Sequence, residues 1–289
     1  MKRGDLVKLT IDGLTPAGDG LAHSHGREVA VRDTVPGDEV TALVGARRKG
    51  RVEARVVEFE RFGLERKEPS CQHFGICGGC RWQGFSYADQ LRLKSLMVME
   101  ALSPSLDSSA DNQSIIANET DLYYRNKMEF SFGTDRDGAR RLGLHVRGRY
   151  NRVFDVEECK LQSEISNRIV SAVRRFAGQL AVPIYDLHSH EGVLRFLVVR
   201  DAKTSGQVLV NLVVADYPNE QVVSLATLVL EEIPDITTFV VTLHEGKAQV
   251  AVGQREFVLK GAGSIVESCA SLDFEISSRS FFQTNPRQA

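Results

Sequence analysis

The sequence contains no apolar run of the roughly 18 residues that a membrane-spanning helix needs. Its start, Met1-Lys2-Arg3-Gly4-Asp5, lacks the apolar stretch of a secretory leader. A cytoplasmic protein with no membrane partner is expected. Charge of neither sign prevails: Lys and Arg total 36 against 38 Asp and Glu, a net charge of −2, so bulk charge does not announce a nucleic-acid partner. No segment repeats. No glycine-rich strand-to-helix fingerprint of the dinucleotide-binding kind is present. Cysteine is scarce, with five in 289 residues, and in a cytosolic chain these are not expected to pair as disulfides.

The length suits about two domains. Residues 1–60 read as a small β domain. Val7, Leu9 and Ile11 alternate with polar residues, as do Val52, Ala54 and Val56, and Val29 and Val31 form a shorter run. Period two marks half-buried strands, and Asp12-Gly13, Gly18-Asp19-Gly20 and Val35-Pro36-Gly37-Asp38 are turn signals between them. Short strands with turns between them suggest a barrel or sandwich. Ser86 and Asp89 fit a capping box for a helix over 87–102, with a Ser/Asp/Asn-rich loop over 102–114.

From about residue 120 an α+β pattern takes over. Strands are predicted at 128–132 and 143–147. A helix carries Ile165, Ile169, Val173 and Phe176. Residues 193–200 and 207–214 form a hairpin, 220–232 a helix stopped by Pro234, and 238–243 with 248–252 a second hairpin around Glu245-Gly246.

Local charge is more telling than the total. Arg47, Arg48, Lys49 and Arg51 form one basic cluster; Arg136, Arg140, Arg141, Arg147, Arg149 and Arg152 form another. Each is either a solvated loop or a source of the positive charge that RNA phosphates require. Tyr123, Tyr124, Phe130 and Phe132 are candidates for stacking on bases, although alternating aromatics in a strand more commonly belong to a core.

The cysteines supply the sharpest pattern. Cys71-Gln72-His73-Phe74-Gly75-Ile76-Cys77-Gly78-Gly79-Cys80 is a C-x5-C-x2-C segment, and its glycines tolerate positive φ where a backbone must fold around an ion. Three thiols within ten residues point to a metal or redox site. Cys159 is the natural fourth ligand, with Cys269 its competitor. Spacing alone leaves open a [4Fe–4S] cluster, structural zinc and a set of buried free thiols. His73 reads as a surface neighbour of the site.

These residues carry a resemblance. Cys71-x5-Cys77-Gly78-Gly79-Cys80-x-Trp82-Gln83 with a distant Cys159, Tyr124-Arg125-Asn126-Lys127, and Ser280-Phe281-Phe282-Gln283-Thr284-Asn285 occur in the order seen in the RNA uracil-5-methyltransferases, and residues 1–60 resemble a TRAM domain, an OB-like RNA-binding barrel. The resemblance implies a [4Fe–4S] cluster on Cys71, Cys77, Cys80 and Cys159. It implies a contact of Gln283 with S-adenosylmethionine, and RNA contacts by Arg47, Arg48, Lys49, Arg51, Arg125, Lys127, Phe281 and Phe282. Cys269 then reads as a small core residue.

The expected architecture is an OB-like TRAM β barrel (1–60), an α+β central domain with the iron–sulfur site (61–275), and the start of a Rossmann-like methyltransferase domain (276–289) that is otherwise largely absent. The 280–285 motif would sit at a frayed end. Family chemistry adds a cysteine thiolate to C6 of uracil, so that C5 accepts the methyl group. That nucleophile has no counterpart here, so the 289 residues alone are expected to be inactive. The resemblance implies a monomer acting on RNA, with 23S rRNA favoured over tRNA. Two alternatives are a stand-alone, non-catalytic RNA-binding iron–sulfur protein and a zinc-stabilised interaction module.

Overall fold

The computed structural model describes residues 1–48, 50–105, 107, 113–135 and 137–289. Lys49 and Arg136, one from each expected basic cluster, lie outside the described residues, as does part of the predicted 102–114 loop. The chain forms two compact units, Met1–Ser70 with Cys80–Ala117, and Cys71–Gly79 with Asn118–Ala289.

In the first unit, strands β1 (Leu6–Thr10), β2 (Gly13–Leu14), β3 (Gly20–Ser24), β4 (Arg27–Arg32), β5 (Glu39–Arg48) and β6 (Arg51–Arg61) are followed by helix α1 (Tyr87–Leu102). The strands form one sheet in the order β1-β5-β6-β4-β3-β2. The predicted alternation sets its inner face: Leu9, Val29, Val31, Val40, Ala42, Val44, Val52 and Ala54 are buried together. The sheet differs from the expected simple barrel in being mixed, because β4 runs parallel to β6. Its order ends on β1 and β2.

Helix α1 starts where the capping box placed it. The Ser86 hydroxyl oxygen accepts the Asp89 N–H at 3.1 Å and donates to the Asp89 carboxylate at 2.6 Å. The helix buries Leu93 against Leu14, Val35 and Phe85. Fully buried Asp38 organises this region. Its carboxylate accepts the N–H groups of Val35 (2.9 Å) and Gly63 (2.8 Å) and pairs with Arg66 at 2.5 Å. The Arg66 guanidinium in turn lies over the rings of Phe59, Phe62 and Phe85.

The second unit is built on β7 (Lys127–Thr134), β8 (Arg140–His145), β9 (Val153–Asp155), β10 (Leu194–Asp201), β11 (Val208–Val214), β12 (Thr238–Leu243) and β13 (Arg255–Lys260), in the order β13-β12-β11-β10-β7-β8-β9. Helices α2 (Glu164–Gln179) and α3 (Glu220–Glu232) cover one face, burying Ile169, Val173, Val222, Leu225 and Val229 with Val210, Leu212 and Phe239. The hairpin of β14 (Ser264–Cys269) and β15 (Leu272–Ser277) covers part of the other face through Ile265 and Ile276 on Leu209. Phe130 and Phe132 are buried in the core and offer no surface for stacking on bases. No helix among the described residues is long and apolar enough to cross a membrane.

One strand expectation needs correction. β12 pairs with β13, not with 248–252. Val250 and Val252, whose alternation suggested a strand, are about half exposed in a loop. β12 also pairs parallel to β11, so α3 is a crossover helix in an otherwise antiparallel set of neighbours.

Candidate functional site

The two central motifs of the sequence meet in the second unit. Asn126, buried just ahead of β7, donates from its backbone N–H to the Thr284 carbonyl at 3.0 Å and from Nδ2 to the Gln283 carbonyl at 2.9 Å. Its own carbonyl accepts the Asp201 N–H at 2.8 Å, which fixes it to the end of β10. Buried Arg200 of β10 donates to the carbonyls of Ser278 and Ser280. Phe282 packs on the β14–β15 hairpin against Phe274, with ring centroids 5.5 Å apart. The 280–285 segment is therefore anchored at several points and is not the frayed end expected.

What this junction presents is mixed. Phe281 is 86% exposed, and the Gln283 side chain is also exposed. Arg125 Nε, Asn126 Oδ1 and Asn285 Oδ1 are buried with no hydrogen-bond partner among the described residues. Buried polar atoms are normally satisfied, so three orphans at one junction mark a place suited to a polar ligand. Lys127 is engaged with Glu129 at 2.6 Å. Cys269, expected in a core, is only partly buried at the end of β14, with its thiol 3.9 Å from the Pro286 carbonyl.

The cysteine segment attaches to the same unit. Cys77 bridges Val146, and the Arg147 N–H donates to the Ile76 carbonyl at 2.8 Å. The Glu157 N–H donates to His73 Nε2 at 3.0 Å, and the His73 ring tilts against Phe154. His73 is thus a structural tie, where the sequence suggested only a surface neighbour. Asn167 of α2 holds Cys159 by its backbone, accepting its N–H at 2.9 Å and donating to its carbonyl at 3.3 Å. Sequence reasoning missed Asn167, because an asparagine on a polar helix face carries no signal by itself.

No disulfide joins any of the five cysteines. Burial pushes Cys159 up, and Cys71 and Cys77 lie near enough to raise it further. Burial likewise raises Cys77, whose sulfur accepts the Gly79 N–H at 3.3 Å. Cys80 belongs to the first unit. Among the described residues no group of three or more His, Cys, Asp or Glu is gathered so as to hold a metal ion. The donor set still fits a thiolate-bound group in kind: Cys71 and Cys77 lie near Cys159 with no disulfide among them, and backbone amides bond to Cys77 and Cys159, whose shift is eased by Leu161 and Gln162. The positive φ of the segment falls at Gly75 (+83°), not at the glycine pair.

The basic clusters are partly committed elsewhere. Arg48 pairs weakly with Glu53 at 3.9 Å, Arg51 pairs with Glu28, and Arg47 Nε donates to the Gly50 carbonyl at 3.3 Å. Arg140 caps the C-terminal end of α2, donating to the carbonyls of Val182 (2.6 Å) and Ala181 (3.0 Å). Arg141 lies between Asp135 and Asp155, both at 2.8 Å.

No family model matches the chain. It is 34% identical over 289 residues to an uncharacterised RNA methyltransferase of Caldanaerobacter subterraneus subsp. tengcongensis, covering 99% of this chain and 64% of the relative. It is 33% identical over 306 residues to an uncharacterised RNA methyltransferase of Chlorobaculum tepidum, covering 100% and 63%. The chain thus spans a little under two thirds of the curated relatives it matches. Its fold is similar to that of the Pyrococcus abyssi tRNA (uracil-54, C5)-methyltransferase, crystallised with S-adenosyl-L-homocysteine. The TM-score is 0.72 at 22% identity, with 97% of this chain and 62% of that one covered.

This likeness overturns the expected fold class. A β barrel and an α+β domain were to stand apart from a largely absent methyltransferase fold, yet nearly the whole chain superposes on a methyltransferase. The expectation leaned on the absence of a glycine-rich fingerprint, of the nucleophilic cysteine and of a catalytic base, and missing local motifs do not report on the rest of a fold. Nor do the likenesses support the expected inactivity. Along nearly its whole length the chain is similar to proteins named RNA methyltransferases, and its fold is that of a methyltransferase of RNA.

Proposed function

We propose that the protein acts in the S-adenosylmethionine-dependent methylation of C5 of a uridine in RNA, and that ribosomal RNA, 23S in particular, is its substrate. The observation that carries this reading is the junction at Asn126, where Tyr124-Arg125-Asn126-Lys127 binds the backbone of Gln283 and Thr284. The methyl donor, when bound, supplies the electrophilic methyl group. This chain's own residues bind and orient. Gln283 offers an exposed amide for the donor, beside the orphaned polar atoms of Arg125, Asn126 and Asn285. Phe281 offers an exposed ring face to a base. Arg125 and Lys127, with Arg47, Arg48, Lys49 and Arg51 of the first unit, supply positive charge for the phosphates. RNA as substrate agrees with a cytoplasmic setting and a monomer.

Cys71, Cys77, Cys80 and Cys159 would hold a [4Fe–4S] cluster that braces the protein and takes no part in methyl transfer. The nearness of Cys71 and Cys77 to Cys159, with no disulfide among them, supports this assignment. An anaerobically purified sample should be brown, with the broad visible absorption of iron–sulfide charge transfer. A colourless protein carrying zinc sinks the cluster.

The test of function is transfer of labelled methyl groups into unmodified 23S rRNA and tRNA transcripts, with nucleoside mass spectrometry of the product. 5-Methyluridine in the ribosomal transcript is the expected result. Label in tRNA alone reassigns the substrate, since the Pyrococcus neighbour is named for tRNA. Label in neither defeats the proposal.

A further inference from the structure

We propose that Arg32 and Arg55 form a phosphate clamp on the outer face of the first unit's sheet, and that it grips the RNA backbone. Strands β4 and β6 run parallel, with Arg32 opposite Arg55. The flanking pair Val31 and Ala54 faces the core, so the two arginines share the outer face, where both are exposed. Adjacent strands lie about 4.8 Å apart, which brings both guanidinium groups within reach of one phosphodiester or two consecutive ones.

Four other cations of this sheet have acidic partners: Lys8 with Glu60, Arg48 with Glu53, Arg51 with Glu28 and Arg61 with Glu39. Glu53 stands two residues from Arg55 on the same face but pairs with Arg48. Arg32 and Arg55, like Arg27 and Arg47, have no ion-pair partner among the described residues, but Arg27 lies opposite Ser24 and Arg47 opposite Val52, whereas Arg32 and Arg55 face each other. Like charges directly opposite on neighbouring strands destabilise a sheet. A sheet that balances those four cations and leaves this facing pair unbalanced is keeping it for an anion from outside.

The transverse row continues through Leu43 on β5 to Leu6 on β1, and Leu6 is 63% exposed. The row therefore runs from an apolar end to a cationic end, matching the sugar–base and phosphate sides of a nucleotide. The sequence cluster at 47–51 attracted attention because its charges are consecutive; these two are 23 residues apart and become neighbours only through the parallel pairing.

The inference rests on the RNA reading above, and its test separates the two. The full chain is titrated with a fluorescein-labelled, 20-nucleotide single-stranded RNA at several KCl concentrations, as wild type, as the R32Q/R55Q double variant, and as R61Q for control. The double variant should bind roughly ten-fold more weakly at low salt and lose about 1.4 from the slope of log affinity against log salt, at about 0.7 per phosphate contact. R61Q should stay within about two-fold of wild type, since a paired surface charge contributes little. The melting midpoint of the double variant should hold or rise as the like-charge repulsion is removed. Wild-type affinity and slope in the double variant overturn the clamp and leave the RNA reading standing. Binding lost together with a lowered melting midpoint overturns the clamp in favour of a structural role. A wild type with no salt-dependent binding overturns both.

Discussion

The two large sheets solve burial in opposite ways. The first unit's sheet buries one face, and its strands alternate over their buried stretches, as in β4, where Val29 and Val31 are inside while Glu28 and Arg32 are outside. The second unit's central strands β10, β11 and β12 are buried at every position. Helices α2 and α3 close one face of that sheet, and the β14–β15 hairpin, with Ala251 of the 244–254 loop, closes parts of the other. A one-faced sheet keeps its charges in water. A two-faced sheet must satisfy every polar side chain internally. Arg195 and Arg200 do so at their terminal nitrogens by donating to loop carbonyls, while their Nε atoms have no partner among the described residues, and Asn211 does so by accepting from Thr242 at 2.8 Å.

The comparison can be tested at its exception first. Asp38 is the fully buried charge of the one-faced unit. Asp38→Ala strands Arg66 and two backbone N–H groups, and should cost about 3–5 kcal/mol in chemical denaturation, as for other broken buried pairs. A loss below about 1 kcal/mol means that the node is dispensable.

The contrast of faces comes next. Leu209 lies on the hairpin side of β11, and Leu209→Ala should cost about 3 kcal/mol. Leu6→Ala, on the open face of the first sheet, should cost less than about 0.5 kcal/mol. Equal costs at the two positions would erase the distinction between the sheets.

Asn126→Ala should have a smaller and more local effect, about 1–2 kcal/mol for its buried side-chain bond to the Gln283 carbonyl. Amide exchange over residues 281–285 should speed up while the α2–α3 core stays protected. Exchange unchanged in that segment would show that Arg200 and the Phe282 packing suffice to hold it.

The smallest effect lies on the open face. His23 bonds to Asp12 at 2.9 Å, and that hydrogen bond raises its pKa. The contribution is fully present below the ordinary histidine value and is lost as pH rises through the raised folded value. Asp12→Asn should return the His23 titration, followed by NMR, toward the ordinary value. The accompanying change in stability should be slight, because the pair is exposed and screened.

Much of this architecture is legible in the residues. The capping box gives α1, Pro234 follows α3, and alternation gives the inner face of the first sheet. The cysteine, Tyr124–Lys127 and Ser280–Asn285 motifs are visible as motifs, but the meeting of the last two at Asn126 is not, because it depends on where β7 and β10 end. The parallel pairings of β4 with β6 and β11 with β12 are also hidden, since a strand's own pattern does not name its neighbour. Val250 and Val252 misled because alternation without a partner strand is only alternation. Glu267 was invisible for another reason. A carboxylate reads as exposed, yet Glu267 shares the buried face of β14 with Ile265 and is fully buried, accepting the N–H groups of Lys203 (2.7 Å) and Thr204 (2.9 Å).

The carbonyl straps of β10 bear on how related sequences should be compared. Arg195 spans the carbonyls of His244, Gly246 and Ala248 with one planar fork, and Arg200 spans those of Ser278 and Ser280. Lysine has the same charge but only a single point of attachment. A substitution matrix scores arginine to lysine among its mildest exchanges. At Arg195, where both terminal nitrogens are used, it is a severe one, so an alignment that tolerates lysine there has matched the charge of the strand and missed its joinery.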